Sequence, residues 1–129
     1  MKLLIDTQCW LWLNALPSRL SATTLKRLEY RDTMRFLSAA SVWEIAIKYA
    51  VGKLPLPERP AEYVPRRLDV TRTSALPITD RHAAHVAELP MHHRDPFDRL
   101  IIVQAQLERL PILTADPQFG AYDVELIEP

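Results

Sequence analysis

Four carboxylates, far apart in the chain, each stand where an apolar run ends or a helix should begin. Asp6 closes Leu3-Leu4-Ile5, and Glu44 lies one turn into Ser41-Val42-Trp43-Glu44-Ile45-Ala46-Ile47. Asp98 precedes Arg99-Leu100-Ile101-Ile102-Val103, and Asp116 follows Pro111-Ile112-Leu113-Thr114-Ala115. In an open parallel sheet, the carboxyl ends of the strands and the starts of the following helices share one edge, where ligands bind. Acids gathered at that edge repel one another unless a cation sits among them. Four carboxylates balance two divalent cations, and hard oxygen ligands suit Mg²⁺ or Mn²⁺. The pattern predicts metal-assisted chemistry.

The elements that must position these acids alternate between strands and helices. Lys2–Ile5 reads as a short strand, followed by a helical turn carrying Trp10, Leu11, Trp12 and Leu13. Ser21 reads as the cap of a helix through Tyr30, with Leu25 and Leu28 spaced for burial. Phe36–Ser38 is a second strand, and a helix runs from Ser41 to about Val51, stopping near Gly52. A proline-rich turn, Leu54–Pro60, leads to a helix over Ala61–Leu68 that must accommodate Pro65. Leu76–Ile78 is a strand, with Thr79 capping a helix through Leu89. Asp95-Pro96 is a helix start, a cap followed by proline in the first turn, and that helix extends to Leu110. Ile112–Thr114 and Val124–Ile127 complete the strands. Such alternation implies right-handed crossovers and a parallel sheet covered on both faces.

Length and composition narrow the function classes. A chain of 129 residues makes a single domain, residues 1–129, with room for a sizeable core. The 16 basic and 16 acidic residues cancel, which argues against a generally basic nucleic-acid binder but leaves room for a local basic patch. The chain has 11 prolines but only 2 glycines, Gly52 and Gly120, so no glycine-rich phosphate loop can be written. A single cysteine, Cys9, excludes an internal disulfide and fits a reducing compartment. The three-residue apolar run before Asp6 is too short for a signal peptide or a membrane span, so the expected location is the cytoplasm.

Each acid also has a purely structural alternative. Asp6 could simply end its strand. Ser41-x-x-Glu44 has the form of a capping box, with Glu44 bonding back to the Ser41 amide. Asp95 reads as the N-cap of the helix opened by Pro96, which leaves Asp98 in the first turn, where the helix dipole favours any acid. Asp116 could be a turn residue before Pro117. Singly these signals are weak; together they put four acids at one edge.

Leu3-Leu4-Ile5-Asp6-Thr7, Ser41-Val42-Trp43-Glu44-Ile45-Ala46-Ile47-Lys48, His93-Arg94-Asp95-Pro96-Phe97-Asp98-Arg99-Leu100-Ile101 and Leu113-Thr114-Ala115-Asp116 occur in this order and span nearly the whole chain. With these stretches the chain resembles PIN-domain ribonucleases, specifically the VapC-like toxins of type II toxin–antitoxin pairs. The resemblance implies a three-layer α/β/α sandwich around a mostly parallel sheet. It implies a site of Asp6, Glu44, Asp98 and Asp116, with Thr7 and Thr114 as polar support. It further implies hydrolysis of single-stranded or looped RNA to leave a 5′-phosphate, a homodimer, and an antitoxin whose C-terminal segment inserts an arginine or lysine into the acidic pocket. Asp6 and Asp98 are the expected direct ligands of Mg²⁺ or Mn²⁺, with Glu44 and Asp116 acting through waters. The segment from Pro55 to Ser74 carries no part of the resemblance.

A polyanion at an acidic pocket needs cations at the rim, and Lys48, Arg94 and Arg99 are the expected RNA contacts. Lys48 could equally pair with Glu44 at i, i+4. Lys26, Arg27 and Arg31 read as a solvated helix face, and Trp10, Trp12 and Trp43 as core or dimer packing. The apolar surface for a dimer is expected at residues such as Leu11 or Trp12. All four histidines are expected to be structural or exposed, since no third zinc ligand stands at a usual spacing from His82-x-x-His85. Two rival classes remain. A phospho-acceptor signalling domain would want a second acid beside Asp6 and a lysine after a late strand, where this chain has Thr7-Gln8 and Val124–Glu128. A PIN-like fold kept only for protein interaction would have no need of all four acids.

Overall fold

The computed structural model describes residues 1–129. It comprises five strands, β1 (Lys2–Ile5), β2 (Met34–Ser38), β3 (Thr73–Leu76), β4 (Ile112–Leu113) and β5 (Leu126–Ile127). The helices are α1 (Thr7–Ala15), α2 (Ala22–Glu29), α3 (Ala39–Ala50), α4 (Pro60–Val70), α5 (Asp80–His85) and α6 (Pro96–Glu108). All strand pairs are parallel, in the order β3-β2-β1-β4-β5. The order reverses between β1 and β4, so the switch point opens beside the ends of those two strands.

Side-chain alternation along the strands divides the core in two. Leu3 and Ile5 of β1 and Leu113 of β4 pack with Cys9, Trp10, Leu28, Ile45, Tyr63 and Val64, under α1 to α4. Leu4 and Ile112 point the other way, onto Ile101, Ile102, Val103 and Phe119. Successive strand residues face opposite sides, so a strand buried on both faces reads as an unbroken apolar run. The predicted three-layer α/β/α sandwich is present.

The element boundaries differ from the sequence expectation in instructive places. Ser21 caps α2 as expected, accepting from the Thr24 amide. The third strand is Thr73–Leu76 rather than Leu76–Ile78, because pairing of Arg35, Phe36, Leu37 and Ser38 with residues 73–76 fixes its register. Helix α3 begins two residues before Ser41, with Ser38 as its N-cap accepting from the Ala40 amide. The Ser41-x-x-Glu44 capping box therefore does not form. Helix α4 carries Pro65 inside it and begins with Pro60 in its first turn. No helix is long and apolar enough to cross a membrane.

Candidate active site

Three of the acids are fixed in place by capping. Asp6 follows β1 and accepts the Cys9 amide through Oδ1 at 2.7 Å, starting α1. Asp95 accepts the amides of Phe97 and Asp98 at 2.8 and 3.2 Å, starting α6. Asp116 follows β4 and accepts the Gln118 amide at 2.9 Å, opening a 3₁₀ turn. Capping uses one oxygen of each carboxylate and points its helix at the same edge of the sheet. The second oxygens of Asp6 and Asp116 meet side chains. Thr114 donates to Asp6 Oδ2, and the Thr114 hydroxyl in turn accepts the Asp116 amide at 3.0 Å.

Glu44 is held from α1 and from its own helix. Thr7 Oγ1 lies 2.7 Å from Glu44 Oε1 and 2.8 Å from Ser41 Oγ. A carboxylate oxygen accepts, so the Thr7 proton goes to Glu44 and Ser41 donates to Thr7. Lys48 closes the other side, its Nζ 2.6 Å from Glu44 Oε2. The Lys48 ammonium is held protonated above its usual range chiefly by that hydrogen bond.

These groups line one cleft of about 310 Å³, whose walls carry Asp6, Glu44, Asp95, Asp98 and Asp116 with Lys48 and Lys53. Five carboxylates thus face two ammonium groups. The crowding shows in the titration of Asp98, whose carboxyl is pushed up to about 7. Burial is the main cause, reinforced by the charge of Asp95 and opposed by His93. Asp6 is also raised, by burial, despite the hydrogen bonds from Thr114 and Cys9. An all-oxygen donor set with unrelieved negative charge fits a hard divalent cation such as Mg²⁺ or Mn²⁺.

All four predicted acids and both predicted threonines therefore meet at the switch point. The predicted cations divide. Lys48 reaches the cleft, while Arg94 is exposed on the approach to α6 and lines a separate apolar hollow with Val86, Met91 and Leu100. Arg99 corrects the expectation: it is 7% exposed. Its guanidinium donates to the carbonyls of Val86, Leu89, Pro90 and His93, so it is not free to meet RNA.

Sequence reasoning missed three residues at this site. Asp95 caps its helix but also lines the cleft, and Lys53 reaches the rim just past Gly52, whose φ is +75°. His93, expected to be structural or exposed, is buried with Nε2 2.9 Å from Asp98 Oδ2 and 3.2 Å from Asp116 Oδ2. Its only sequence signal is its place five residues ahead of Asp98.

The tryptophans also separate. Trp10 is wholly buried, and Trp12 is half-buried beneath the Arg19 guanidinium, 5.7 Å from the ring centroid. Leu11 is half-buried in the wall of the cleft. More exposed than either is a row of apolar residues along α3, Trp43, Ile47 and, one residue beyond its end, Val51. Trp43 meets Phe97 edge-on at 5.3 Å between ring centroids.

The sequence pattern of the PIN domain matches residues 3–125. The chain belongs to the PIN-domain family. Within that family it is similar to Ribonuclease VapC16 of Mycobacterium tuberculosis, with 57% identity over 49 residues. That stretch is 38% of this chain and 35% of the relative, so the match spans only about a third of the curated protein's length. In fold, this PIN domain resembles VapBC2 from Rickettsia felis, solved bound to a DNA fragment from its promoter. The TM-score is 0.76 at 16% identity, covering 100% of this chain and 99% of that one. A toxin–antitoxin complex from Klebsiella pneumoniae has a chain of the same fold, with a TM-score of 0.63 at 18% identity over 97% and 95% of the two chains. At these identities the structural likeness speaks for the PIN fold alone.

Proposed function

We propose that this PIN domain is a metal-dependent endoribonuclease acting as the toxin of a toxin–antitoxin pair. The observation that carries the reading is the convergence of Asp6, Glu44, Asp98 and Asp116 on one cleft at the switch point of the sheet. Similarity to a ribonuclease over 49 residues supports the choice of RNA as substrate.

The hydrogen bonds suggest how the acids share the work. Glu44 has an oxygen on Thr7 and an oxygen on Lys48, and Asp116 has one on the Gln118 amide and one on His93. Asp98 Oδ1 has no partner, and Asp6, with both oxygens engaged once, keeps further lone pairs. Asp98 and Asp6 are accordingly the residues that would hold Mg²⁺ or Mn²⁺. Such an ion supplies charge neutralisation and Lewis acidity toward a phosphodiester and the water that attacks it. Glu44 and Asp116 remain to orient that water, and Thr7 and Thr114 keep their carboxylates in place. Lys48 and Lys53 meet the phosphate backbone at the rim.

Substrate RNA, a cognate antitoxin and a second copy of the chain are the proposed partners. The exposed row of Trp43, Ile47 and Val51 supports the dimer, and the acidic cleft suits a basic side chain of the antitoxin. The absence of a membrane-crossing helix and the single buried thiol accord with a cytoplasmic site of action.

The test is cleavage of structured RNAs by the EDTA-treated protein, wild type against Asp98→Asn, as Mg²⁺ or Mn²⁺ is titrated back. Metal-dependent cutting that the substitution abolishes is the expected result. Equal cutting by both proteins would remove Asp98 from the chemistry.

A further inference from the structure

His93 lies on the loop before α6, and its buried imidazole sits behind the cleft against two of its carboxylates, Asp98 and Asp116. His93, Asp98 and Asp116 can each offer one donor atom within 4.8 Å of the others, a spacing that a metal ion could bridge. The second ring nitrogen separates a ligand from a hydrogen-bond donor. Nδ1 lies 3.2 Å from the Asp95 backbone nitrogen, which can only donate. Nδ1 is therefore the acceptor, and the ring hydrogen sits on Nε2. An Nε2 that carries hydrogen has no lone pair to give a cation; it donates to Asp116 Oδ2 and rests against Asp98 Oδ2. The same arrangement recurs at His82, where Nδ1 accepts the Thr79 amide and Nε2 faces Glu108.

The backbone of His93 is equally committed. Its amide donates to the Tyr122 hydroxyl at 2.7 Å, and its carbonyl accepts from Arg99 at 3.2 Å. Tyr122 passes its own proton to the Pro90 carbonyl at 2.9 Å. Ring and backbone are thus fixed independently: moving the ring hydrogen to Nδ1 would set two donors face to face at Asp95, and turning the ring over would leave that amide without its acceptor.

We propose that His93 is a positioning residue and not a metal ligand: its Nε2–H holds Asp98 and Asp116 side by side and leaves Asp98 Oδ1 for the cation. This rests on the carboxylate-metal reading above.

The test uses Mn²⁺ as the probe on the EDTA-treated full chain, read by metal binding and pulsed electron paramagnetic resonance rather than by RNA cleavage. In the wild type, bound Mn²⁺ should show no ¹⁴N coupling of a directly coordinated imidazole; such a coupling would overturn the proposal. His93→Ala should weaken Mn²⁺ binding by roughly 10–100-fold. His93→Gln, which can return an N–H near the Nε2 position, should recover most of that loss. Binding by a folded His93→Ala protein equal to wild type would overturn the assignment, as would Gln failing to improve on Ala. Should the alanine protein not fold, the wild-type spectrum and the Gln variant still decide. Failure of the wild type to bind Mn²⁺, or undiminished binding by Asp98→Asn, would instead remove the metal reading itself.

Discussion

Arg99 binds the carbonyl oxygen of His93 at 3.2 Å, so a cation that faces away from the cleft sets the path of the loop that enters it. The same guanidinium collects three more carbonyls, from Val86, Leu89 and Pro90. Its planar fork satisfies them together, whereas an ammonium is a compact point charge on a flexible stem. Arg99→Lys should therefore cost on the order of 2 kcal/mol by leaving buried carbonyls unpaired. Urea unfolding measures this. A change within a few tenths of a kcal/mol would show that the carbonyls find other donors.

Thr7 links α1 to α3 through Ser41 and Glu44. Thr7→Val keeps the shape and removes both bonds, leaving Glu44 Oε1 without its donor. The expected loss is about 1–2 kcal/mol, together with lower nuclease activity because Glu44 is free to turn toward Lys48. Thr7→Ser should restore both. Comparing denaturant midpoints and RNA cleavage across the three proteins checks the link.

The contrast between Asp98 and Arg99 explains what the sequence could and could not reveal. Adjacent residues on a helix project about 100° apart, so an arginine next to a site acid in sequence points away from it in space. Asp6 and Asp116 were legible because each follows an apolar strand run, and Asp98 because Asp95-Pro96 marks the start of its helix, whereas Glu44 was read beside a capping box that does not form. His93 left no such mark. Its place depends on Tyr122, 29 residues away, and on Arg99, neither of which can be read from the loop itself. The third strand was misplaced for a similar reason. Leu76-Pro77-Ile78 is the more apolar run, but pairing with β2 selects Thr73–Leu76.

The rim lysines should act on RNA binding rather than on folding. Lys48 is half-exposed in its pair with Glu44, and such pairs contribute less than about 1 kcal/mol. Lys48→Gln with Lys53→Gln should weaken RNA binding and flatten its dependence on salt, while the denaturation midpoint barely moves. Arg94→Gln, outside the cleft, should do less. Filter binding across a salt series distinguishes them; an unchanged slope for the double variant would place the backbone contacts elsewhere.

Cys9 is buried beside Asp6, and burial followed by the Asp6 charge pushes its thiol far above the ordinary range. Thiolate is the reactive form. Iodoacetamide at pH 8 should therefore label the folded protein at the rate at which it opens, rising steeply only with denaturant. Rapid labelling of the native chain, followed by mass spectrometry, would contradict the packing around β1.

The stability of the metal-free protein should fall as pH rises, opposite to the usual behaviour of paired carboxylates. The Asp98 carboxyl titrates near 3.8 when free and at about 7 in the fold. The folded state thus holds this proton more tightly than the unfolded chain does. Its contribution is fully present below pH 3.8 and is lost as pH climbs to about 7. Asp6, also raised, acts in the same direction, while Lys48 and His93 lie close enough to moderate the repulsion. Melting in EDTA should accordingly show a temperature that declines between pH 5 and pH 8. Asp98→Asn, which carries no charge at any of these values, should flatten the decline and melt above wild type at pH 8. Adding Mg²⁺ should raise the wild-type melting temperature most at pH 8, where its ligands are deprotonated, and leave Asp98→Asn nearly unmoved. A wild-type profile as flat as the variant's would mean that Asp98 carries its charge in the folded protein without penalty.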